Sequence, residues 1–361
     1  MRNQMRKLQK PTRTAIFTYA LVIAAFVIVQ ILVAGGNVNS TLAGQFVPIC
    51  AYVVMAISLN LTVGILGELS LGHAGFMSVG AFSGVVAGMS LGGAIPSEPL
   101  RLTVSMIIGA ACAGVAGFLI GIPVLRLNGD YLAIVTLAFG EIIKNVINCL
   151  TVGVDSGGLH FGFLSTADAL NLEPSGTVII NGPMGISGIP KLASFTAGFI
   201  LILVTLFIVM NLVNSRSGRA ILALRENRIA AVSVGIFATK YKLMAFVVSA
   251  ALAGAAGTLY AMNFSTIVAT KFGFNTSILI LVFVVLGGLG NIAGSIIAAT
   301  LLTVLPEMLR GFSDFRMLIY AIVLILVMLA TNSARFRALP GQLASKLRPA
   351  RTSAKEGATG E

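Results

Sequence analysis

The chain has 361 residues, of which 57% are hydrophobic and only 10% charged, and its mean hydropathy is +0.98. Soluble domains carry about 25% charged residues, so a soluble globule is excluded. The net charge of +12 gathers beside apolar runs, as the cytoplasmic side of a membrane protein demands, and this placement speaks against nucleic acid as a partner.

Arg2, Arg6, Lys7, Lys10 and Arg13 precede an uncharged apolar run at 15–34. No small-residue cleavage site follows it, so it reads as a retained first span and not as a removed signal. Further uncharged runs occupy 42–66, 69–97, 102–125, 192–215 and 243–270. Each has the roughly 20 residues an α-helix needs to cross hydrocarbon, whereas barrel strands would alternate over about ten. The expected fold class is an all-α polytopic membrane protein. Its spans, about ten by hydropathy and charge, fall at 15–34, 44–65, 70–91, 102–124, 131–150, 193–213, 243–262, 276–290, 292–309 and 317–332. Alternating crossings then put both termini and the cation-rich 214–242 segment on the cytoplasmic side. The predicted organisation is a basic N-terminus at 1–14, a membrane domain at 15–332 and a basic polar tail at 333–361, expected to be disordered.

The third span is rich in small residues, including Ser70, Gly72, Ala74, Gly75, Gly80 and Gly84, which let helix backbones approach closely in a bilayer. Glu68 stands at its mouth, placed to cap the helix N-terminus, and His73 lies one turn inside as a hydrogen-bonded interior histidine. The fourth and seventh spans share a pattern, Ala113-Gly114-x-Ala116-Gly117 and Ala253-Gly254-x-Ala256-Gly257. They are candidates for an inverted repeat or for two glycine-rich helices alike in composition. Glu141 and Lys144, at i and i+3 of the fifth span, can pair on one face; this intramembrane ion pair reads as self-neutralising. Residues 151–191 form the longest external segment, and its turn signals at Gly157-Gly158, Asn181-Gly182-Pro183 and Ser187-Gly188 suggest a folded cap.

The segment 214–240 carries Arg216, Arg219, Arg225, Arg228 and Lys240 against Glu226. Ile221, Leu222, Leu224, Ile229, Val232 and Val234 give it an apolar face, consistent with one or two short amphipathic helices separated or ended at Gly235. Composition leaves two uses open: docking a soluble partner, or lying in the headgroups. Farther on, 277–306 carries no charge but is broken at Gly287-Gly288-Leu289-Gly290-Asn291. This is a tight hairpin or a broken helix, and glycine-interrupted short segments point to a transport pathway. Ser70, Gly72, His73, Gly287, Gly288 and Gly290 are therefore the candidate pathway residues.

Catalytic equipment is lacking. His73 and His160 are the two histidines, Cys50, Cys112 and Cys149 show no metal spacing, and there is no phosphate loop, nucleophile elbow or helical HExxH motif. No catalytic residue, metal or cofactor is assigned. Glu141 alone could serve an ion-coupled carrier.

The run Arg225-Glu226-Asn227-Arg228-Ile229-Ala230-Ala231-x-x-x-Gly235 resembles the ATPase-coupling loop of ABC importer permeases, whose signature is Glu-Ala-Ala-x-x-x-Gly; Ile229 occupies the glutamate position. With 69–80 (LSLGHAGFMSVG), 125–141 (LRLNGDYLAIVTLAFGE), 185–190 (GISGIP) and 286–294 (LGGLGNIAG), the chain resembles the LivM-type permeases of branched-chain amino-acid ABC importers. The resemblance implies a type II-like permease in a bacterial inner membrane. It implies a second homologous permease, two cytoplasmic ABC ATPases and an extracytoplasmic substrate-binding protein as partners. On that resemblance Arg225, Glu226, Ala230, Ala231 and Gly235 would engage an ATPase, and the cargo would be branched-chain amino acids. Urea or short amides are the alternative cargo, and an ion-coupled carrier the alternative machine.

Overall fold

The computed structural model describes residues 16, 18–31, 35, 40–127, 129–155, 158–164, 170, 176–308, 318, 321, 322 and 325. The predicted terminal segments 1–14 and 333–361 lie outside these residues, as does most of the predicted last span. Packing divides the chain into one compact unit, Met1–Glu307, and a second, Met308–Glu361; the first is described here.

The chain is mostly helical. Its helices are α1 (Thr18–Ile31), α2 (Ser40–Asn60), α3 (His73–Ser90), α4 (Glu98–Val124), α5 (Asp130–Asn148), α6 (Phe195–Asn214), α7 (Arg216–Glu226), α8 (Arg228–Ser233), α9 (Ala238–Ala261), α10 (Phe274–Gly287) and α11 (Ile292–Met308). Among the described residues, five helical segments are long and apolar enough to cross a bilayer: Gly44–Leu66, Glu98–Val124, Phe195–Asn214, Ala238–Ala261 and Ala269–Gly287. The sequence count of spans also drew in α3, whose Gly and Ser content dilutes its hydropathy, and α5, which carries Glu141 and Lys144.

α2 is apolar all round, and from Ala51 to Leu66 nearly every residue is buried, as expected of a central helix. It does not end as an α-helix. Leu61–Leu66 continue it as a π-helix, closed by Gly67 at φ 81°, whose N–H donates to the Thr62 carbonyl. A left-handed residue at this point is tolerated by glycine without Cβ strain. π-turns inside helices concentrate at functional sites.

α3, α4 and α9 form the tightest part of the bundle. A Cβ built at Gly254 would lie 2.4 Å from Ala113 Cβ and 2.6 Å from the Gly109 carbonyl oxygen. One at Gly117 would lie 2.5 Å from Ala250 Cβ, and one at Gly109 would lie 2.1 Å from Thr258 Oγ1. Four residues forward in α4 thus match four residues back in α9, which makes the two helices antiparallel. The same construction at Gly80 meets Gly254, and at Gly84 meets Thr258, so α3 runs parallel to α9. The two Ala-Gly-x-Ala-Gly patterns therefore face each other across one interface, where small residues admit the backbone contact that gives membrane helices their cohesion. Thr258 Oγ1 adds a hydrogen bond of 2.8 Å to the Gly80 carbonyl.

Facing outward, α4 and α6 present Ile107, Val115, Phe118, Leu119, Ile200, Val204 and Phe207, all exposed. An apolar belt of this extent has hydrocarbon, not water, as its natural solvent.

One end of the bundle carries a small sheet. β1 (Leu150–Asp155), β2 (Gly158–Phe163), β3 (Thr177–Asn181), β4 (Ile186–Ser187) and β5 (Thr266–Ile267) pair antiparallel in the order β2-β1-β3-β4-β5. The segment 151–191, expected to be external, thus carries a folded sheet, as the turn signals suggested, but a β element that the all-α expectation did not foresee. Its pairing is non-local: β5 comes from the stretch between α9 and α10, and Gly185 packs so closely on Ile267 that a Cβ there would meet its carbonyl oxygen at 2.1 Å. In the hairpin, Asp155 accepts the Gly158 N–H at 3.1 Å and pairs with His160 Nε2 at 3.0 Å. Leu159, Phe161 and Phe163 alternate onto the exposed face of β2.

Candidate functional site

The opposite end carries α7 and α8, and their separation is written in two caps. Ser215 Oγ accepts the Gly218 N–H at 3.1 Å to begin α7, and Asn227 Oδ1 accepts the Ala230 N–H at 3.1 Å to begin α8. Side-chain oxygens at these positions satisfy orphan donors of a helix N-terminus. The helices therefore divide at Asn227, while Gly235, at φ 87°, ends α8. There the Ile236 N–H donates to the Ala231 carbonyl and the Gly235 N–H to the Val232 carbonyl, the paired bonds of a Schellman cap.

α7 seats Ile221 and Leu224 in the bundle, and α8 seats Ala231; Glu226, Ala230 and Gly235 face solvent. Outward from α8 and the turn after it stand Ile229 (85% exposed), Val232 (50%), Val234 (76%) and Phe237 (77%). Short polar helices with a row of large exposed apolar side chains are poorly satisfied in water, and rows of this kind mark interaction surfaces.

Arg225 behaves differently from its neighbours. Its Nη1 donates to the Gly64 carbonyl in the π-helix, and a Cβ at Gly67 would lie 2.9 Å from its Cγ. The same corner is held by a second cation: Lys242, near the start of α9, forms an ion pair with Glu68, both side chains largely buried (6% and 13% exposed). Glu68 thus does not cap α3, which begins at His73 after Gly72. A buried carboxylate requires a buried cation, and Lys242 supplies it.

The glycine break at 287–291 is a hairpin. Gly287 and Gly294 lie in backbone contact, a Cβ at Gly294 falling 1.9 Å from the Gly287 carbonyl oxygen, and Gly288 and Gly290 take φ of 92° and 83°. Buried Asn60 fastens this turn to α2, accepting the Gly290 N–H at 2.8 Å and donating to Ser295 Oγ at 3.0 Å. The six candidate pathway residues fall into two groups, each with one hydrogen bond to α2. Gly287, Gly288 and Gly290 belong to the hairpin beside Asn60 and Gly64. His73 is buried with Nε2 2.8 Å from Ser58 Oγ, and Gly72 packs on the Thr136 carbonyl of α5. Ser70 Oγ is buried without a hydrogen-bond partner among the described residues. Asn60 and Lys242 escaped the sequence reading; a lone Asn in an apolar run and a lysine immediately before one were the available signals.

Glu141 and Lys144 do form the expected pair. Glu141 also accepts the Phe274 N–H at 3.0 Å, so it caps α10 from another helix. Replacing Glu141 by Ala should lower stability by about 1 kcal/mol, the worth of a helix cap, whereas Lys144→Met should cost less because the partly exposed pair is screened. Thermal unfolding in detergent checks the order of the two.

A family model described as the permease component of branched-chain amino acid transport systems matches residues 41–330. The chain belongs to this permease family. It is 34% identical over 299 residues to the high-affinity branched-chain amino acid transport system permease protein LivM of Escherichia coli, an alignment covering 77% of this chain and 66% of that protein. It is 33% identical to the protein of the same description from Salmonella typhimurium, with the same coverage. A probable branched-chain amino acid transport permease LivM of Methanocaldococcus jannaschii is 26% identical over 250 residues, 61% of this chain and 67% of that protein. The chain spans just under two thirds of the length of the two bacterial relatives. No solved structure matches it. Family membership and the apolar belt together make this LivM-type permease chain a multi-pass membrane protein.

Proposed function

We propose that the chain is a membrane subunit of an ATP-driven ABC importer in a bacterial inner membrane, passing branched-chain amino acids received from an external binding protein. The observation that carries this is the α7–α8 pair. It exposes an apolar row at one end of a membrane bundle while being fastened to the central helix, as a docking element for a moving partner must be. Family relatives described as branched-chain amino acid permeases support the cargo. This reading assigns hydrolysis to partner ATPases, in keeping with the lack of a phosphate loop in the sequence, and the chain itself would be no enzyme.

In this reading two ATPases receive the segment 225–235, with Glu226, Ala230 and Gly235 at the contact and buried Ala231, expected there from the sequence, seating α8 beneath it. A second homologous permease completes the pathway, to which Ser70, Gly72, His73, Gly287, Gly288 and Gly290 contribute. Ten crossings, with both termini and α7–α8 in the cytoplasm, place the sheet outside, where the binding protein would dock. The antiparallel match of α4 with α9 supports an inverted repeat between the two halves. The domain limits 1–14, 15–332 and 333–361 belong to the same proposal.

The test is uptake into proteoliposomes holding both permeases and both ATPases. Leucine, isoleucine or valine should enter only with ATP and the binding protein. Uptake driven by a sodium or proton gradient without ATP would overturn the importer reading, and uptake of urea or short amides in place of leucine would overturn the cargo.

A further inference from the structure

Two cations hold one short corner of the chain. α2 ends in the π-helix Leu61–Leu66, and the Gly64 carbonyl receives the Arg225 guanidinium. Helix C-terminal carbonyls lack intrahelical partners and attract positive charge, so this contact is favoured on both counts. Two residues beyond the end of the π-helix, past Gly67, Glu68 receives Lys242. Arg225 lies on α7 and Lys242 on α9, so the cations flank α8 and its exposed apolar row on either side in sequence. The corner also touches the α10–α11 hairpin: a Cβ at Gly64 would lie 2.3 Å from the Gly290 nitrogen, and Asn60 bonds that same N–H.

We propose that Arg225 and Lys242 are positioning residues that clamp the α7–α8 segment to the Gly64–Glu68 corner, so that displacement of the helix pair is delivered to α2 and the α10–α11 hairpin. This rests on the importer reading. A π-helix is a rare continuation of an α-helix and is found frequently at functional sites, which suits a segment that must take up movement. Loss of either cation leaves the helix pair in place through Ile221 and Leu224 but removes one of the two anchors that tie its flanks to the corner. The ATPases would then bind and hydrolyse ATP without moving the pathway.

The experiment uses the full complex in proteoliposomes and reads leucine taken up per ATP hydrolysed. Arg225→Met, Lys242→Gln and the double variant Glu68→Gln/Lys242→Gln should lower this ratio roughly tenfold, the worth of one charge-assisted contact, and in the two Lys242 variants ATPase copurification should be unchanged. Arg225→Lys, and the swap Glu68→Lys/Lys242→Glu, should recover part of the ratio, which a merely structural defect would not show. Should a single variant fail to assemble, the double neutral variant and the swap decide. A wild-type ratio in Arg225→Met and in the double neutral variant would overturn the clamp, as would a swap no better than either of its parent single variants. If the unaltered complex takes up leucine without ATP, the importer reading fails instead, and the two failures are distinguished.

Discussion

Gly254→Val should abolish the folded protein. At this position α9 crosses both α4 and α3, and even a methyl group would stand 2.4 Å from Ala113 Cβ and 2.6 Å from the Gly109 carbonyl oxygen. Real Cβ atoms do not approach so closely, and one of the obstacles is backbone, which no rotamer change can clear. The helices must separate, opening an interface that also holds Gly80, Gly117 and Thr258. Overpacking in a dense core costs about 1–3 kcal/mol when side chains can yield; here whole helices must move, and a loss of about 3 kcal/mol or more is expected. Size-exclusion profiles and thermal unfolding in detergent would show aggregated or sharply destabilised protein. Gly114→Ala is the control. Its new methyl group would sit 3.5 Å from Ala251 Cβ, an ordinary contact, so stability should change by no more than about 0.5 kcal/mol. Equal behaviour of the two variants would remove the crossing from its place at the heart of the fold.

Phe237→Asp should leave the bundle folded and cut ATPase association roughly 30-fold, about 2 kcal/mol, the loss typical of an aromatic anchor in an interface. Phe237 is 77% exposed and Val234 beside it 76%, so the free protein gives up little packing when either is changed. The cost arises only where a partner covers them. Pull-down of the ATPases at a series of concentrations measures the shift, and an unchanged profile in bilayer reconstitution confirms the fold. If association is unaltered while membrane partitioning of the segment changes, the row lies in the headgroups and the docking role is lost.

Much of the architecture was legible because lipid makes severe demands on sequence. Long uncharged runs announced α2, α4, α6 and α9, and the Ala-Gly-x-Ala-Gly patterns marked two faces that must pack closely. The amphipathic segment at 214–242 and the glycine turn at 287–291 were also visible, since glycine, serine and asparagine interrupt helices for local reasons. The division at Asn227 is less legible than the stop at Gly235. Asn227 separates the helices by capping the second, a role that asparagine advertises less loudly than glycine.

Length, composition and charge placement thus determined that this chain is a polytopic helical membrane protein with one basic amphipathic insertion. Those properties follow from the transfer free energy of each segment by itself. What tertiary structure decided were the pairings. It brought Glu68 to Lys242, Arg225 to Gly64, Asn60 to Gly290 and Glu141 to Phe274, partners separated by up to 230 residues. It also brought β5 to the cap, adding a strand from beyond α9. A polar group in a bilayer must find a partner, but which partner depends on how helices cross, and hydropathy carries no record of that.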